Sequence, residues 1–536
     1  MPALRGPVFV FILIIAGCLV PGDSRKRGKP PDKPTAIAKR EHTAMIYYVD
    51  SLYGSDEADG LSRQTAFRTT ARVNTLSLCG GDEVRFRAGR TYPGPLQPRR
   101  ADTEGTVTIT RYGVGRRPMI DGGGEAAVDL RDVSGICLRE LAVTNPCGLY
   151  GVRILNQAGG EMRGIHVIGC HIYDVYGGHE AFRIATGGIV ATSGHEHPGW
   201  FRDLLIQDNH IEHVCRTGVI LHTYWSNRPW KTWAENDYVS DTENWWPSYE
   251  VVWRGNRIER PAGDAMVLIG AIDPLMEWNV AYEVMADPKP PCANAGIWPQ
   301  STENCLVQYN EVGYTHKPEG CNDAQGFDVD LSCRNTILQY NYSHDNEGGF
   351  LLLCELNNTA EYGYRGTVVR NNLSVNDGNI KGELIAMVGP VRGVTIENNT
   401  ICYAGNAERI IEVWTEDGTD QAADVVFRNN LLIANGRGNA FHLCNGKNFV
   451  FENNLYWGSY RTPQPGETDP VVAEPILTLD GEAGCGPEAA ERYVPLPGSP
   501  ALTAGAAAAK PAPADFFGNP TEGRQYIGAF LSGARK

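Results

Sequence analysis

The sequence predicts an all-β fold, a right-handed parallel β-helix in which one chain winds through about 11 to 12 coils. The first observation is a series of short β-rich segments that each end in an asparagine, such as LVQYNEV, ILQYNYS and VTIENNTI. The second is their spacing, because the interval of 31 residues recurs between successive asparagines. These asparagines are Asn209, Asn256, Asn279, Asn310, Asn341, Asn372, Asn399, Asn430 and Asn454. Self-similarity at a period of about 20 to 50 residues, without a helical pattern, indicates a solenoid of strands.

Each repeat carries three short apolar runs, which predicts three strands for each coil. A second run follows the asparagine, and a variable loop leads to a third run such as GVILHT, AGIWPQS, GFDVDLS or GGFLLLC. We expect the asparagine to lie at a tight bend between the first two strands, where its amide can bond the backbone and the asparagines of neighbouring coils. We also expect it to adopt the left-handed conformation that such a bend requires.

Composition and the repeat divide the chain into five segments. Residues 1–18 are typical of an export signal, and residues 19–45, which are charged and contain proline, of a flexible linker. Residues 46–100 suit an N-terminal cap with a strand and a short helix. The β-helix is predicted over residues 101–460 and a C-terminal closing segment over residues 461–536. Both ends of a solenoid need such covers, because a terminal coil lacks a neighbour on one side.

The N-terminus predicts export. Arg5 precedes an apolar run that is too short to span a membrane, and this run ends in IAGC at Cys18. The pattern resembles a bacterial lipobox, in which Cys18 would be lipidated and become the mature N-terminus. An ordinary secretory signal with a chance cysteine is the alternative. We expect a lipid-anchored protein at the cell surface, in the outer membrane or in the periplasm, or otherwise a secreted one.

The net charge limits the partners. The chain of 536 residues carries a formal charge of −15, which argues against nucleic acid, since phosphate binding relies on clustered lysine and arginine. A membrane partner is expected only through the N-terminal lipid. We expect a monomer.

The repeat, the two end segments and one central stretch together resemble a known superfamily. The stretch reads QGFDVDLSCRN and continues, after a short strand, as YNYSHDNEGGF. Over residues 46–530 the chain resembles secreted right-handed parallel β-helix carbohydrate-active enzymes, which include glycoside hydrolases, polysaccharide lyases and epimerases. The resemblance implies a substrate groove along one corner and the strand that follows it. The paired-aspartate and Gly-His-Gly motifs of polygalacturonases are not present in this sequence.

Two carboxylates in the GFDVDLS run are the leading catalytic candidates. Phe327, Val329 and Leu331 form a natural inward set, so Asp328 and Asp330 should face solvent on the same side of the strand. Glycoside hydrolysis needs two carboxyl groups, one protonated to release the leaving group and one acting as base or nucleophile. Two neighbouring carboxylates push their pKa values apart, which produces this division of labour.

One of these aspartates can also act with a residue of the adjoining loops. The candidate partners are Asp323, before the strand, and Asp345 or Glu347, one coil later. His344 is a candidate to orient or tune a carboxylate.

The same oxygen-rich stretch is also compatible with a structural role. Asp323, Asp328 and Asp330 could hold Ca²⁺, since hard cations bind carboxylate and carbonyl oxygens. A solvated face without a role is the third possibility. Hydrolysis by two carboxylates requires no cofactor.

A tryptophan-rich insertion lengthens one repeat and is a candidate for substrate binding. The tryptophans of the insertion are Trp225, Trp230, Trp233, Trp245 and Trp246. Flat aromatic faces stack on sugar rings, although such a loop can also pack its tryptophans against the rod or itself. Trp298 aligns with Asp328 one coil away and His222 aligns with Asp330, so both should face the same groove.

Three functions remain open at this stage. The leading one is a glycoside hydrolase that cleaves a complex polysaccharide. The second is a polysaccharide lyase assisted by Ca²⁺, for which Lys317, Arg334 and Arg365 are the nearby basic residues, although the groove strand itself carries none. The third is a glycan-binding rod without catalysis, which would use the tryptophans but not the aspartates.

Overall fold

Three long parallel sheets contain nearly all of the strands in the part of the chain that the structure describes. The computed structural model describes residues 42–102, 104–177, 185–228, 244–288, 293–356, 363–403, 408–414, 421–434, 440–459, 463–478 and 484–532. The helical segments are the α-helices Thr70–Val73 and Pro487–Ala490 and the 3₁₀ turns Glu491–Tyr493 and Pro500–Leu502. Within these described ranges no helix has the length and apolar character to cross a membrane.

Sheet 1 stacks the strands that precede the ladder asparagines. Its strands are Ile46–Val49, Glu83–Arg87, Val107–Tyr112, Ile136–Arg139, Gly160–Ile168, Gly199–Gln207, Ser248–Arg254, Leu275–Glu277, Leu306–Gln308, Ile337–Gln339, Val368–Arg370, Arg392–Glu397, Ala423–Arg428 and Lys447–Glu452, with Ala271–Ile272 beside Ser248–Arg254. All of these pairings are parallel, as expected when equivalent strands of successive coils lie side by side.

Sheet 2 stacks the strands that follow the asparagines, and sheet 3 stacks the third strand of each coil. The strands of sheet 2 are Thr91–Pro93, Met119–Asp121, Ala142–Asn145, His171–Val175, His210–Val214, Arg257–Glu259, Val280–Tyr282, Glu311–Gly313, Tyr342–His344, Leu373–Val375, Thr400–Tyr403, Leu431–Ala434, Leu455–Gly458 and Val471–Val472. The strands of sheet 3 are Ala126–Arg131, Tyr150–Asn156, Gly187–Ser193, Thr217–Leu221, Met266–Ile269, Ile297–Gln300, Gln325–Val329, Gly349–Cys354, Glu383–Val388, Arg409–Trp414 and Ala440–His442. A separate pair joins Ser77–Leu78 to Arg99–Arg100. The predicted all-β parallel β-helix is confirmed.

One continuous apolar core runs through the coils. Alternate side chains of each strand enter it, so that Val307, Leu338 and Val369 stack on one another from successive strands of sheet 1. Burial of apolar surface contributes about 25 cal/mol per Å², and the stack therefore stabilises each coil through its two neighbours.

The ladder asparagines lie at the bend between sheets 1 and 2 and are fully hydrogen-bonded. Asn341 donates its backbone N–H and its side-chain amide to Oδ1 of Asn372, at 2.9 and 3.0 Å, and its amide also donates to the Val307 carbonyl. Asn310 donates to Oδ1 of Asn341 in the same way. The predicted bonding between coils is therefore present.

The prediction that these asparagines adopt the left-handed conformation is wrong, because the residue before each of them adopts it. The residue just before each ladder asparagine has the positive φ, for example Tyr309 at 54° and Tyr340 at 58°. The asparagine itself must direct its amide inward to bond the next coil, so the residue before it makes the turn of the chain.

The ends of the rod are built into the stack. Ile46–Val49 and Glu83–Arg87 already pair in sheet 1, so the coils begin inside the segment that the sequence assigns to a cap. The closing segment lies against the bend at the other end. There the amide of Asn398 donates to the Tyr526 carbonyl at 2.7 Å, and that of Asn429 to the Ala506 carbonyl at 2.9 Å.

Candidate active site

The strand Gln325–Val329 of sheet 3 carries the central aspartate of the site. Phe327 and Val329 point into the core, as predicted, and Asp328 points to the opposite face. The prediction that Asp328 faces solvent is wrong, because its exposed fraction is only 5%. It lies between the strands of the adjacent coils, opposite Leu352 on one side. Its Oδ1 atom has no hydrogen-bond partner among the described residues.

Asp330 and Asp323 flank this buried carboxyl and are half-buried themselves. Burial raises the pKa of Asp330 to about 7, and the charges of Asp323 and Glu355 also raise it. Burial raises the pKa of Asp323 to about 6, although the ammonium groups of Lys381 and Lys317 lower it.

The protonation of Asp328 depends on the same group of charges. Burial, followed by the charges of Asp330 and Asp323, raises the pKa of Asp328 well above its usual range. Charging three acids so close together in a partly dry site is unfavourable, so the group retains protons near neutral pH.

A fourth acid, Asp264, lies on the same face in an earlier coil and was not predicted. Its Oδ1 accepts hydrogen bonds from Nε1 of Trp298 at 2.9 Å and from the Ala295 N–H at 3.0 Å, and its Oδ2 accepts one from the amide of Asn294. Burial raises the pKa of Asp264, while Arg216 lowers it. The run GDAMVLIGA contained the signal, since this aspartate stands two residues before the core methionine of its strand, Met266.

Gln325 adds a second unpartnered polar group to this face. Its side chain is fully buried, yet neither its amide nitrogen nor its amide oxygen has a partner in the described part of the chain. Gln325 lies opposite Gly349 of the next coil. Buried polar groups in proteins are nearly always hydrogen-bonded, so unpartnered ones at a cluster of acids mark a place for a ligand.

Two lysines face the aspartates from the neighbouring loops. Nζ of Lys381 lies 3.2 Å from Glu383, and Nζ of Lys317 donates to the Cys321 carbonyl. Burial lowers the pKa of Lys317, and the charge of Lys381 lowers it further. The lysines stand on the side of Asp323, so the two ends of the cluster differ in charge.

This arrangement provides carboxyl groups in unlike environments, which is what acid–base chemistry at a glycosidic bond needs. It does not resemble a compact metal site. Among the described residues, the groups of side chains whose ligand atoms lie within 4.8 Å of one another do not include Asp323, Asp328 or Asp330. The calcium hypothesis gains no support from this arrangement.

Of the other predicted acids, only Glu347 adjoins this cluster. Its Oε2 accepts a hydrogen bond of 2.5 Å from the backbone N–H of Lys317, so it holds the loop that carries this lysine. Its own side chain is half-buried.

His344 and Asp345 lie at sheet 2 and the bend that follows it, apart from the aspartates of sheet 3. His344 is fully buried, with Nδ1 3.0 Å from Asp345 and Nε2 3.2 Å from Glu311. Burial lowers the pKa of His344, but the hydrogen bonds to both carboxylates outweigh it and raise the value to about 9. The backbone N–H of Gly486 also donates to Glu311, so this group joins a coil to the closing segment.

Trp298 lies beside the aspartates, and the described tryptophans of the insertion are half-buried against the rod. The indole N–H of Trp225 donates to the Gly194 carbonyl, and that of Trp245 to the Ser226 carbonyl. Trp246 stacks on Trp200 with ring centroids 5.5 Å apart. Trp230 and Trp233, like Cys18, lie outside the described residues.

His222 follows the strand Thr217–Leu221 of sheet 3, in the register predicted for it. Leu221 pairs with Leu268, which places His222 in the row that contains Gln300 and Asp330. Burial lowers the pKa of His222 to about 4, so the imidazole is neutral near pH 7.

The fold is of the kind found in parallel β-helix carbohydrate-active enzymes. Comparison with known proteins confirms this resemblance. The chain is 23% identical to the lacto-N-biosidase of Bifidobacterium longum subsp. longum over 610 aligned positions, which cover 93% of the chain. The alignment covers 37% of that relative, so the chain spans little more than a third of its length. No family model matches the sequence.

Solved structures give the same fold. The native GH136 lacto-N-biosidase from Eubacterium ramulus superimposes with a TM-score of 0.55 at 20% identity, over 80% of this chain and 68% of that one. The complex of XylC with xylose superimposes with a TM-score of 0.50 at 13% identity, over 81% of this chain and 87% of that one. These likenesses support the parallel β-helix architecture.

Proposed function

We propose that the protein is a glycoside hydrolase that cleaves a polysaccharide or an oligosaccharide with two carboxyl groups. The observation that carries this proposal is the cluster of Asp323, Asp328 and Asp330, in which burial raises every pKa and the charges of neighbouring acids raise it further. A general acid for glycoside hydrolysis must hold its proton near neutral pH, and these surroundings achieve this.

Asp330 is the proposed acid and Asp323 the proposed base or nucleophile. Both are half-buried and can reach a substrate, whereas Asp328 is 5% exposed. Lys381 and Lys317 favour the ionised form of Asp323, and the pKa of Asp330 is higher, at about 7. Burial, with the charges of Asp323 and Glu355, keeps Asp330 protonated, while the buried Asp328 lies between the two proposed residues in the sequence. This choice differs from a pair formed by Asp328 and Asp330 alone.

The substrate proposed first is a lacto-N-bioside. The reason is that this chain matches one part of a lacto-N-biosidase. Trp298 offers an aromatic face beside the acids, held in orientation by its bond to Asp264. Gln325 and Oδ1 of Asp328 offer unpartnered polar atoms in the same place, so a sugar hydroxyl could supply the missing partners.

The test is to identify the reaction products. The protein is incubated with p-nitrophenyl lacto-N-bioside and with a panel of neutral and uronic-acid polysaccharides, and products are weighed by mass spectrometry while ultraviolet absorbance is recorded. We expect products that carry one added water and no new absorbance. Products without added water, accompanied by absorbance from a conjugated double bond, would contradict the hydrolase.

Elimination is the second candidate, and the lysines favour it. Burial and Lys381 lower the pKa of Lys317, so more of this amine is unprotonated and able to accept a proton near neutral pH than in an ordinary lysine. In that case Lys317→Met should abolish turnover while Asp330→Asn leaves much of it. Binding without any turnover, undisturbed in Asp323→Asn and Asp330→Asn, would instead point to a glycan-binding rod.

Export and anchoring remain part of the proposal. The apolar run and the lipobox-like IAGC sequence support a lipid on Cys18, in residues outside those that the structure describes. If Cys18 is lipidated, the full chain expressed in a bacterial host should partition into the membrane fraction, and the Cys18→Ala variant should not. Equal partitioning of the two proteins would contradict the anchor. The monomeric state is tested by sedimentation of the released form.

A further inference from the structure

A second group of polar side chains lies on the outward face of sheet 2, away from the aspartates. His171 and His210 are direct neighbours in the register of adjacent strands, and Glu212 and Glu259 are neighbours two residues further along. The two imidazole rings stack with centroids 4.8 Å apart and 8° between their planes. Because the sheet is parallel and in register, like residues in successive coils are forced together.

Each imidazole of this group already faces a carboxylate. Nε2 of His171 lies 2.7 Å from Oε1 of Glu212, and Nε2 of His210 lies 2.7 Å from Oε2 of Glu259. One ligand atom from each of His171, His210 and Glu212 lies within 4.8 Å of the other two. These side chains are partly exposed, so rotation about their bonds can draw the three atoms closer to one centre.

The charge around the group is negative when the imidazoles are neutral. Glu212 and Asp174 have no arginine within ion-pair distance among the described residues, and Arg257 balances only Glu259. A cation is therefore attracted to this part of the sheet.

A cavity borders the group and is open to solvent. It has a volume of about 230 Å³ and shares Glu212 and Glu259 with the cluster. Its remaining walls are Arg260, Tyr282, Glu283 and Tyr314.

We propose that His171, His210 and Glu212 form a binding site for a divalent transition-metal ion of the zinc class. Two imidazole nitrogens and one carboxylate oxygen are a ligand set that zinc accepts, at bond lengths of about 2.0–2.2 Å, with a fourth position left for water or a ligand. Glu259 bonds Nε2 of His210, so with the ion on Nδ1 of that ring it would orient the imidazole as outer carboxylates do at zinc sites. The fourth position is next to the cavity. The ion would also bridge two successive coils.

The test uses the metals themselves. Protein stripped with a chelator is titrated with Co²⁺, followed by its visible spectrum, and with Zn²⁺, followed by calorimetry and thermal unfolding. We expect one equivalent that produces the visible bands of Co²⁺ with nitrogen and oxygen ligands, and a rise in Tm. The variant His171→Ala/His210→Gln should lose that equivalent, and Glu259→Gln should weaken it by about 10- to 100-fold.

The matched control is His166→Ala. His166 is also a surface histidine paired with a carboxylate, at 2.9 Å from Asp203, but it belongs to sheet 1 and has no second histidine beside it. This variant should bind like the natural protein. The proposal is overturned if the double variant keeps the bound equivalent and its Co²⁺ spectrum, or if the natural chain binds no more Zn²⁺ than the double variant. Circular dichroism verifies that each variant is folded.

Discussion

The asparagine ladder and the aspartate cluster are both rows of buried polar side chains in the same coils, and they are partnered in opposite ways. In the ladder, the backbone N–H and the amide of Asn341 are bonded to Asn372, and its Oδ1 accepts from Asn310. In the cluster, Asp328 and Gln325 retain buried atoms without partners among the described residues.

The difference follows from where the two rows lie. The ladder is inside the bend, where the period of the coils supplies an identical partner above and below each amide. The cluster lies on the outer face of sheet 3, where acids repel one another and partners must come from outside the chain. A row whose polar groups are all hydrogen-bonded stabilises the coils. A row with unpartnered polar groups lowers the stability, but its groups are available to bind a ligand and to transfer protons.

Removing the proposed acid or base should have the largest effect. Asp330→Asn and Asp323→Asn should each lower kcat by about 10²- to 10⁴-fold, which is the usual contribution of a positioned acid or base. Stability should not fall, because removing a carboxylate whose pKa is raised by burial relieves a cost of folding. Steady-state kinetics on p-nitrophenyl lacto-N-bioside gives the answer. Full activity in either variant would remove that residue from the mechanism.

Breaking the ladder should cost stability and spare catalysis. Asn341→Ala removes the acceptor of the Asn310 backbone N–H, one of the two bonds of the Asn310 amide and a donor to the Val307 carbonyl, so the free energy of unfolding should fall by about 2–4 kcal/mol. Denaturant unfolding measures this change. Asn335→Gly is the control. Asn335 donates to Asn304 in an exposed row, and glycine accepts its φ of 53° without strain, so the change should cost less than about 1 kcal/mol. Equal losses in the two variants would contradict the contrast.

Neutralising the buried Asp328 should raise the free energy of unfolding, whereas breaking the ladder lowers it. A carboxyl whose pKa is raised by folding destabilises the protein above the pKa of the unfolded chain, about 3.9, and the penalty disappears at lower pH. Asp328→Asn should therefore stabilise the protein at pH 8, by about 1–3 kcal/mol, and much less at pH 4. Unfolding by urea at the two pH values tests this. A loss of stability at pH 8 would show that the charge of Asp328 is paired.

The dependence of activity on pH should reflect the two ends of the cluster. The base must be ionised and the acid protonated, so kcat/KM should fall below about pH 6 and above about pH 7. Lys381→Met removes a charge that favours ionised Asp323, and it should move the acidic limb upward while the alkaline limb stays in place. A shift of both limbs would mean that Lys381 acts on the whole cluster.

The sequence was sufficient to predict the coils and the alternation of the groove strand. Short β-rich runs that end in asparagine at 31-residue intervals are compatible with few folds other than a parallel β-helix. Phe327 and Val329 enter the core, as the alternation of the strand indicated. Sequence reasoning also grouped Asp323, Asp328 and Asp330, because one strand and the loop before it hold them together. It did not separate His344 and Asp345 from them, since two residues close in sequence can lie on different sheets of a coil.

By itself, therefore, the sequence determined the properties that depend on period: the parallel coils, the ladder and the inward or outward direction of each strand residue. Tertiary structure alone decided how deeply Asp328 is buried, that Asp264 holds Trp298 in place, and that His171 meets His210. The physical reason is register. Alternation depends on neighbours along one strand, whereas burial and pKa depend on side chains that arrive from other coils after loops of unequal length.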